Sequence, residues 1–98
     1  MHVVVARFTA KPGSEGEVAR LLSEMIPHAL SEQGCHVYAV NRLVDDPKVF
    51  LLYEQYTDAA AFGAHGDTEA FKRIVAGQVV PLLDGRAREI YELVEPAA

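Results

Sequence analysis

Residues 36–56 read HVYAVNRLVDDPKVFLLYEQY, and the fold turns on this stretch. His36 to Val44 and Val49 to Tyr56 are rich in β-branched and aromatic residues, and Asp45-Asp46-Pro47-Lys48 between them is a tight-turn sequence. Two strands joined in a hairpin are predicted. Successive strand side chains point to opposite faces. In the first of the two, Val37, Ala39 and Leu43 oppose Tyr38, Val40 and Val44; in the second, Val49, Leu51 and Tyr53 oppose Phe50 and Leu52. Both faces are apolar.

Upstream, residues 2–10 form another predicted strand, with Val3 and Val5 on one side and Val4, Ala6 and Phe8 on the other, closed by Lys11-Pro12-Gly13. Ser14 with Glu17 three positions later is a capping-box pattern, so a helix is expected from Glu15. Val18, Leu21, Leu22, Met25, Ala29 and Leu30 lie on one face of it. Pro27 lacks a backbone donor and is expected to kink or shorten this helix, which Gly34 closes. Downstream, Thr57-Asp58 caps a short Ala-rich helix running to about His65. Gly66-Asp67-Thr68 interrupts it, and a restart from Asp67 or Thr68 carries Ala70, Phe71, Ile74 and Val75 on one side. Pro81 ends regular helix, Asp84-Gly85 is expected to turn, Arg86 to Val94 is the last strand, and Pro96-Ala97-Ala98 a frayed tail.

The order β-α-β-β-α-β is the split βαβ, or ferredoxin-like, arrangement of an α+β protein. Residues 1–98 make one domain. Two helices cover one face of a four-stranded sheet, yet the other face is also apolar. A bare patch of that kind exceeds what soluble monomers usually expose. Pairing through that sheet face in a twofold homodimer, a dimeric α+β barrel, is therefore expected.

Half the residues are hydrophobic and 23% are charged, an ordinary globular balance. A formal net charge of −5 with scattered Lys and Arg argues against nucleic acid and against an anionic membrane surface as partners. The single cysteine, Cys35, makes no internal disulfide and supplies no zinc set. No basic segment followed by a long apolar run opens the chain, and no run approaches a bilayer span, so the cytoplasm is the expected compartment.

Glu32-Gln33-Gly34-Cys35-His36-Val37-Tyr38, the run from Tyr53-Glu54-Gln55-Tyr56 through Ala64-His65, and the restart Thr68-Glu69-Ala70-Phe71 resemble the antibiotic biosynthesis monooxygenase family, in particular its quinol-monooxygenase-like branch. The likeness runs from Val3 to about Val94. It implies a dimeric α+β barrel and, in the oxidative members, oxygenation of hydroquinones or polycyclic phenols by O2 without flavin, haem or metal. Haem-degrading relatives carry an Asn on the first strand, a Trp ending the third and a ligating His late in the second helical stretch. Here those places hold Ala6, Tyr56 and Val75, so haem degradation is not expected.

A phenol yields an electron to oxygen far more readily once deprotonated, so such a site needs a base and an apolar pocket. Histidine, with a side-chain pKa near ~6.5 as a residue type, is the natural base. His65 occupies the family's Ala-His position and is the candidate base, against a plainer role as a helix-end residue bonding carbonyls before Gly66. Asn41, a polar amide among apolar neighbours, is the second catalytic candidate, set against a sheet-edge or interface hydrogen bond. Tyr56, where the family places an aromatic wall, and Tyr38, Tyr53 and His36 are the substrate-binding candidates; core packing or a solvated role is the alternative for each. Glu54, in an otherwise apolar strand, is read as fixing a His or Arg across the sheet or as facing a dimer rim. No metal ligands and no cofactor are expected.

The resulting expectation is a cofactor-independent monooxygenase acting on a quinol or small phenolic aromatic with O2. The alternatives are a non-oxidative isomerase of a small hydroxyketone, since one fold hosts many chemistries, and a dimer that binds small ligands without turnover.

Overall fold

The computed structural model describes residues 1–97. Its strands are β1 (His2–Ala10), β2 (Cys35–Arg42), β3 (Val49–Tyr56) and β4 (Leu83–Glu92). Its helices are α1 (Glu15–Leu30), α2 (Ala59–Gly66), a π helix (Phe71–Val79) and a 3-10 turn (Val80–Leu82). The strands form one antiparallel sheet in the order β2-β3-β1-β4, the ferredoxin-like α+β arrangement the patterning predicted.

Register decides which residues share a face. Tyr38, Glu54, Val4 and Ile90 form one cross-strand row; Val40, Leu52, Ala6 and Arg88 form the next; and Arg42, Phe50, Phe8 and Arg86 the third. These rows lie under the helices. The core is built there from Val4, Ala6, Phe8, Phe50, Leu52 and Tyr56 with Val18, Leu21, Leu22, Met25 and Ala29 of α1 and Ile74, Val75 and Val79 of the π helix. Val3, Val5, Val37, Ala39, Leu51, Tyr53 and Tyr91 occupy the opposite face, which no helix among the described residues covers; Val3 is buried by its neighbours, but Leu51 is 40% and Tyr91 47% exposed. The apolar double-faced sheet is thus observed, and its bare face stands open.

Several local expectations are corrected. Ser14 makes no side-chain cap; instead the Gly13 N–H, at φ +88°, donates to the Glu15 carboxylate at 3.1 and 3.2 Å, and Glu17 pairs with Arg20. The α1 helix runs through Pro27 to Leu30 because the proline sits in the last turn on the exposed side, where one missing backbone bond costs least. It stops at Leu30, short of Gly34, and β2 ends at Arg42 instead of Val44. No turn forms at Asp84-Gly85: the chain passes from the 3-10 turn directly into β4 at Leu83, with a register shift opposite Thr9/Ala10. Residues 93–97 have no regular structure, and Ala98, the end of the expected frayed tail, lies outside the described residues.

Asp58 does cap α2, its carboxylate accepting from the Ala61 N–H at 2.9 Å. A glycine is required at position 34: a Cβ there would stand 2.5 Å from the Ala61 Cβ, so only hydrogen lets the start of β2 approach α2 this closely. Thr68 joins α2 to the next helix, its hydroxyl donating to the His65 carbonyl at 2.9 Å and accepting from the Phe71 N–H at 3.1 Å. The restart continues as nine residues of π helix, a rare form that recurs at functional sites. Among the described residues no helix is long and apolar enough to cross a membrane.

Candidate functional site

Between the sheet and the α2–π-helix half of the helical layer lies a cavity of about 620 Å3. Val4, Ala6 and Phe8 of β1 and Leu52 of β3 supply its floor. Phe62, Phe71 and Val75 supply the facing wall, and Arg86 and Arg88 of β4 stand at its side. Besides the two arginines, three polar side chains stand among these mostly apolar groups: Tyr38, Glu54 and His65.

His65 is 2% exposed although it is a titratable residue. Its ring is caged by aromatics, with centroids 5.6 Å from Tyr38, 5.4 Å from Tyr56 and 5.1 Å from Phe71 in an edge-on contact. The Nδ1 atom faces the Glu32 carboxylate at 2.9 and 3.0 Å. Glu32 lies in the turn between α1 and β2, so the fold brings together groups 33 positions apart. Ionised, that carboxylate only accepts, which places hydrogen on Nδ1 and leaves Nε2 as a lone-pair acceptor in the neutral ring. Among the described residues Nε2 has no hydrogen-bond partner, and no buried side-chain nitrogen or oxygen is left unpaired, so Nε2 is open to the cavity that the ring lines.

Glu54 is 4% exposed, and its Oε1 accepts from the Tyr56 hydroxyl at 2.6 Å. The same accounting leaves Oε2 open to the cavity. Burial raises the Glu54 pKa; the Tyr56 O–H, His65 and Arg88 oppose that rise, and Glu32 adds to it. The Tyr38 hydroxyl has no partner among the described residues and opens to the cavity as well. Burial, then the nearby Glu54 charge, raises the pKa of both Tyr38 and Tyr56, so both phenols stay neutral hydrogen-bonding groups. Burial likewise pushes the Cys35 thiol up to about 11, which removes it as a nucleophile at neutral pH.

The six residues singled out in the sequence divide. His65 and Tyr38 line the cavity, and Tyr56, fully buried, stands behind its wall with its ring 5.2 Å from Phe62. The other three do not join them. Asn41 projects from the bare sheet face, exposed, its amide donating to the Leu51 carbonyl at 3.2 Å beside Arg7 and Leu43. It is therefore not within reach of His65, contrary to the expected pairing: residues 39 and 41 have the opposite parity to Tyr38. Tyr53 shares that bare face, its hydroxyl accepting from Gln55 at 2.9 Å. His36 is exposed at the start of β2, its Nε2 hydrogen-bonded to the Thr57 hydroxyl at 2.7 Å. Glu32, Phe62, Phe71 and the two arginines were not foreseen as site residues. Glu54 carried half a signal: it shares parity with Phe50, Leu52 and Tyr56, so it had to lie on their face of the sheet, whichever face the helices cover.

Among the described residues no group of three or more His, Cys, Asp and Glu is arranged to hold a metal ion. The family model for antibiotic biosynthesis monooxygenase matches residues 1–77. A solved antibiotic biosynthesis monooxygenase is 26% identical, with 97% of this chain and 100% of that chain covered and a TM-score of 0.90. A protein from Pseudomonas aeruginosa is also 26% identical, over 96% and 94% of the two chains, with a TM-score of 0.90. One from Mycobacterium tuberculosis, again 26% identical, covers 99% and 98% with a TM-score of 0.88. No curated protein matches the chain. With more than half its length matched by that model, and with a fold shared over nearly the whole chain with these structures, the chain belongs to the antibiotic biosynthesis monooxygenase family.

Proposed function

We propose that the protein is a cofactor-independent monooxygenase that oxidises a quinol or a small phenolic aromatic with O2, using His65 as the base. One observation carries this reading: a buried imidazole, held through Nδ1 by Glu32, turns Nε2 into an aromatic-walled cavity large enough for a small ring system. Glu32 fixes the tautomer and stabilises the imidazolium formed when Nε2 takes the substrate's hydroxyl proton. The phenolate so produced is the reductant, and the apolar walls from Phe62, Phe71, Leu52 and Val75 favour a flat ring over bulk water. For a hydroquinone the balance is C6H4(OH)2 + O2 → C6H3(OH)O2 + H2O, with all four electrons coming from the ring.

The homodimer belongs to the same proposal. The bare face with Leu51, Tyr53 and Tyr91 is the surface a second copy would cover, and Asn41 then contributes at that interface and not to the reaction. The work is placed in the cytoplasm.

Oxygen uptake with a hydroquinone tests the proposal. The His65→Ala variant is expected to lose roughly 10²–10⁴-fold in kcat/KM. Uptake unchanged in the variant removes His65 from the mechanism.

A further inference from the structure

Of the imidazole and the carboxyl that reach the cavity, the mechanism above uses only the imidazole. The other, Glu54, is hard to explain as structure alone. It sits in the row Tyr38–Glu54–Val4, under the helices, where every other β3 residue of its parity is an apolar or aromatic core residue. It makes no ion pair among the described residues. A buried carboxyl without one lowers stability relative to an apolar side chain of its size. Its one protein partner, the Tyr56 hydroxyl, engages Oε1 and leaves Oε2 toward the cavity.

We propose that Glu54 is a second catalytic group, a carboxylic acid that gives its proton to the peroxide formed on the substrate ring while His65 takes one from the substrate hydroxyl. This rests on the oxidative reading of the site. His65 Nε2 first removes the hydroxyl proton. The ring carbon next to the phenolate oxygen bonds to O2, whose two-electron reduction leaves a C–O–O⁻ group. Glu54 protonates it to C–O–OH. The carboxylate then takes the proton from that same carbon as the O–O bond breaks, and the departing hydroxide takes its second proton from the imidazolium. A carbonyl and one water result, and both side chains return to their starting forms. The division follows from unlike surroundings: His65 is backed by an anion and suited to accept, whereas Glu54 is held in apolar surroundings and suited to donate.

The groups that bear on Glu54 come from every element around it: Tyr56 on its own strand, Tyr38 and Cys35 on β2, His65 on α2, Glu32 in the turn after α1, and Arg88 on β4. Burial, which favours the neutral carboxyl, outweighs the Tyr56 O–H, His65 and Arg88, which favour the anion.

The test compares wild type, Glu54→Gln and Tyr56→Phe with a hydroquinone, measuring oxygen consumed, hydrogen peroxide released and hydroxylated quinone formed. In wild type one ring product per O2 and no peroxide are expected. In Glu54→Gln, product formation falls about 100-fold, while the oxygen still consumed appears as hydrogen peroxide and unhydroxylated quinone. Tyr56→Phe removes a bond that favours the anion, so the alkaline limb of its rate profile moves to higher pH with the acid limb unchanged. If Glu54→Gln does not fold, that limb decides. Full coupling and full rate in Glu54→Gln, or an alkaline limb unmoved in Tyr56→Phe, overturns the assignment while the role of His65 stands. No oxygen uptake by wild type removes both together.

Discussion

The helical layer has two halves that treat the same sheet differently. Under α1, Val18, Leu21, Leu22, Met25 and Ala29 are at most 1% exposed and fill the space against the sheet with apolar side chains. Under α2 and the π helix, a histidine and a glutamate are buried almost as deeply, and they border a half-open cavity of about 620 Å3. Close packing is what stabilises a domain of this size, whereas buried titratable groups and voids weaken it. The α1 half therefore supplies the stability that the cavity half gives up.

The largest effect that would break this contrast comes from Leu22. Leu22→Ala should lower unfolding stability by about 2–5 kcal/mol in chemical denaturation, while kcat, measured well below the melting temperature, stays as in wild type. A comparable loss of kcat would show that the two halves are not separate. Gly34 is the point at which they meet, because the start of β2 touches α2 there. With a Cβ only 2.5 Å from that of Ala61, Gly34→Ala must displace α2. It should cost about 1–3 kcal/mol and, unlike Leu22→Ala, raise KM as well, since His65 rides on α2.

The smallest effect is on the pH dependence of stability. Burial raises the folded-state pKa of Glu54 above the ordinary glutamate value of 4.5. The folded protein then binds this proton more tightly than the unfolded chain, so stability falls as pH rises from about 4.5 through the folded pKa. Glu54→Gln removes that slope. The variant should match wild type near the bottom of this window and become the more stable of the two toward neutral pH. Parallel curves across the window would show that Glu54 ionises as freely in the folded state as in the unfolded one.

Much of this was legible in the residues. Period-two alternation in the strands and period-3.6 spacing in α1 follow directly from burial on one face, and both hold except at Leu30, which belongs to the expected face of α1 yet is 49% exposed at its last residue. Sequence alone had no means of saying which sheet face the helices cover, because Val37, Ala39 and Leu51 on one side look as apolar as Tyr38, Val40 and Leu52 on the other. That ambiguity is why Asn41 was set beside His65 when it lies across the sheet from it. Glu32 escaped notice for a different reason: in a turn, its carboxylate acquires meaning only when the closed fold places it 2.9 Å from His65. The π helix carries no composition of its own, and its apolar positions Phe71, Ile74 and Val75 fit ordinary helical spacing equally well.

That π helix has a geometric corollary. Bonding each N–H five residues back in place of four makes the coil broader than an α helix; Phe71 and Val75 line the cavity while Ile74 and Val79 are buried in the core. Such a coil behaves as an ordinary helix carrying surplus residues. Deleting one of them would let the segment tighten, rotate its side chains by roughly 100° and draw Phe71 away from the imidazole it now meets edge-on. The roominess of the chamber is thus written in chain length as much as in side-chain identity.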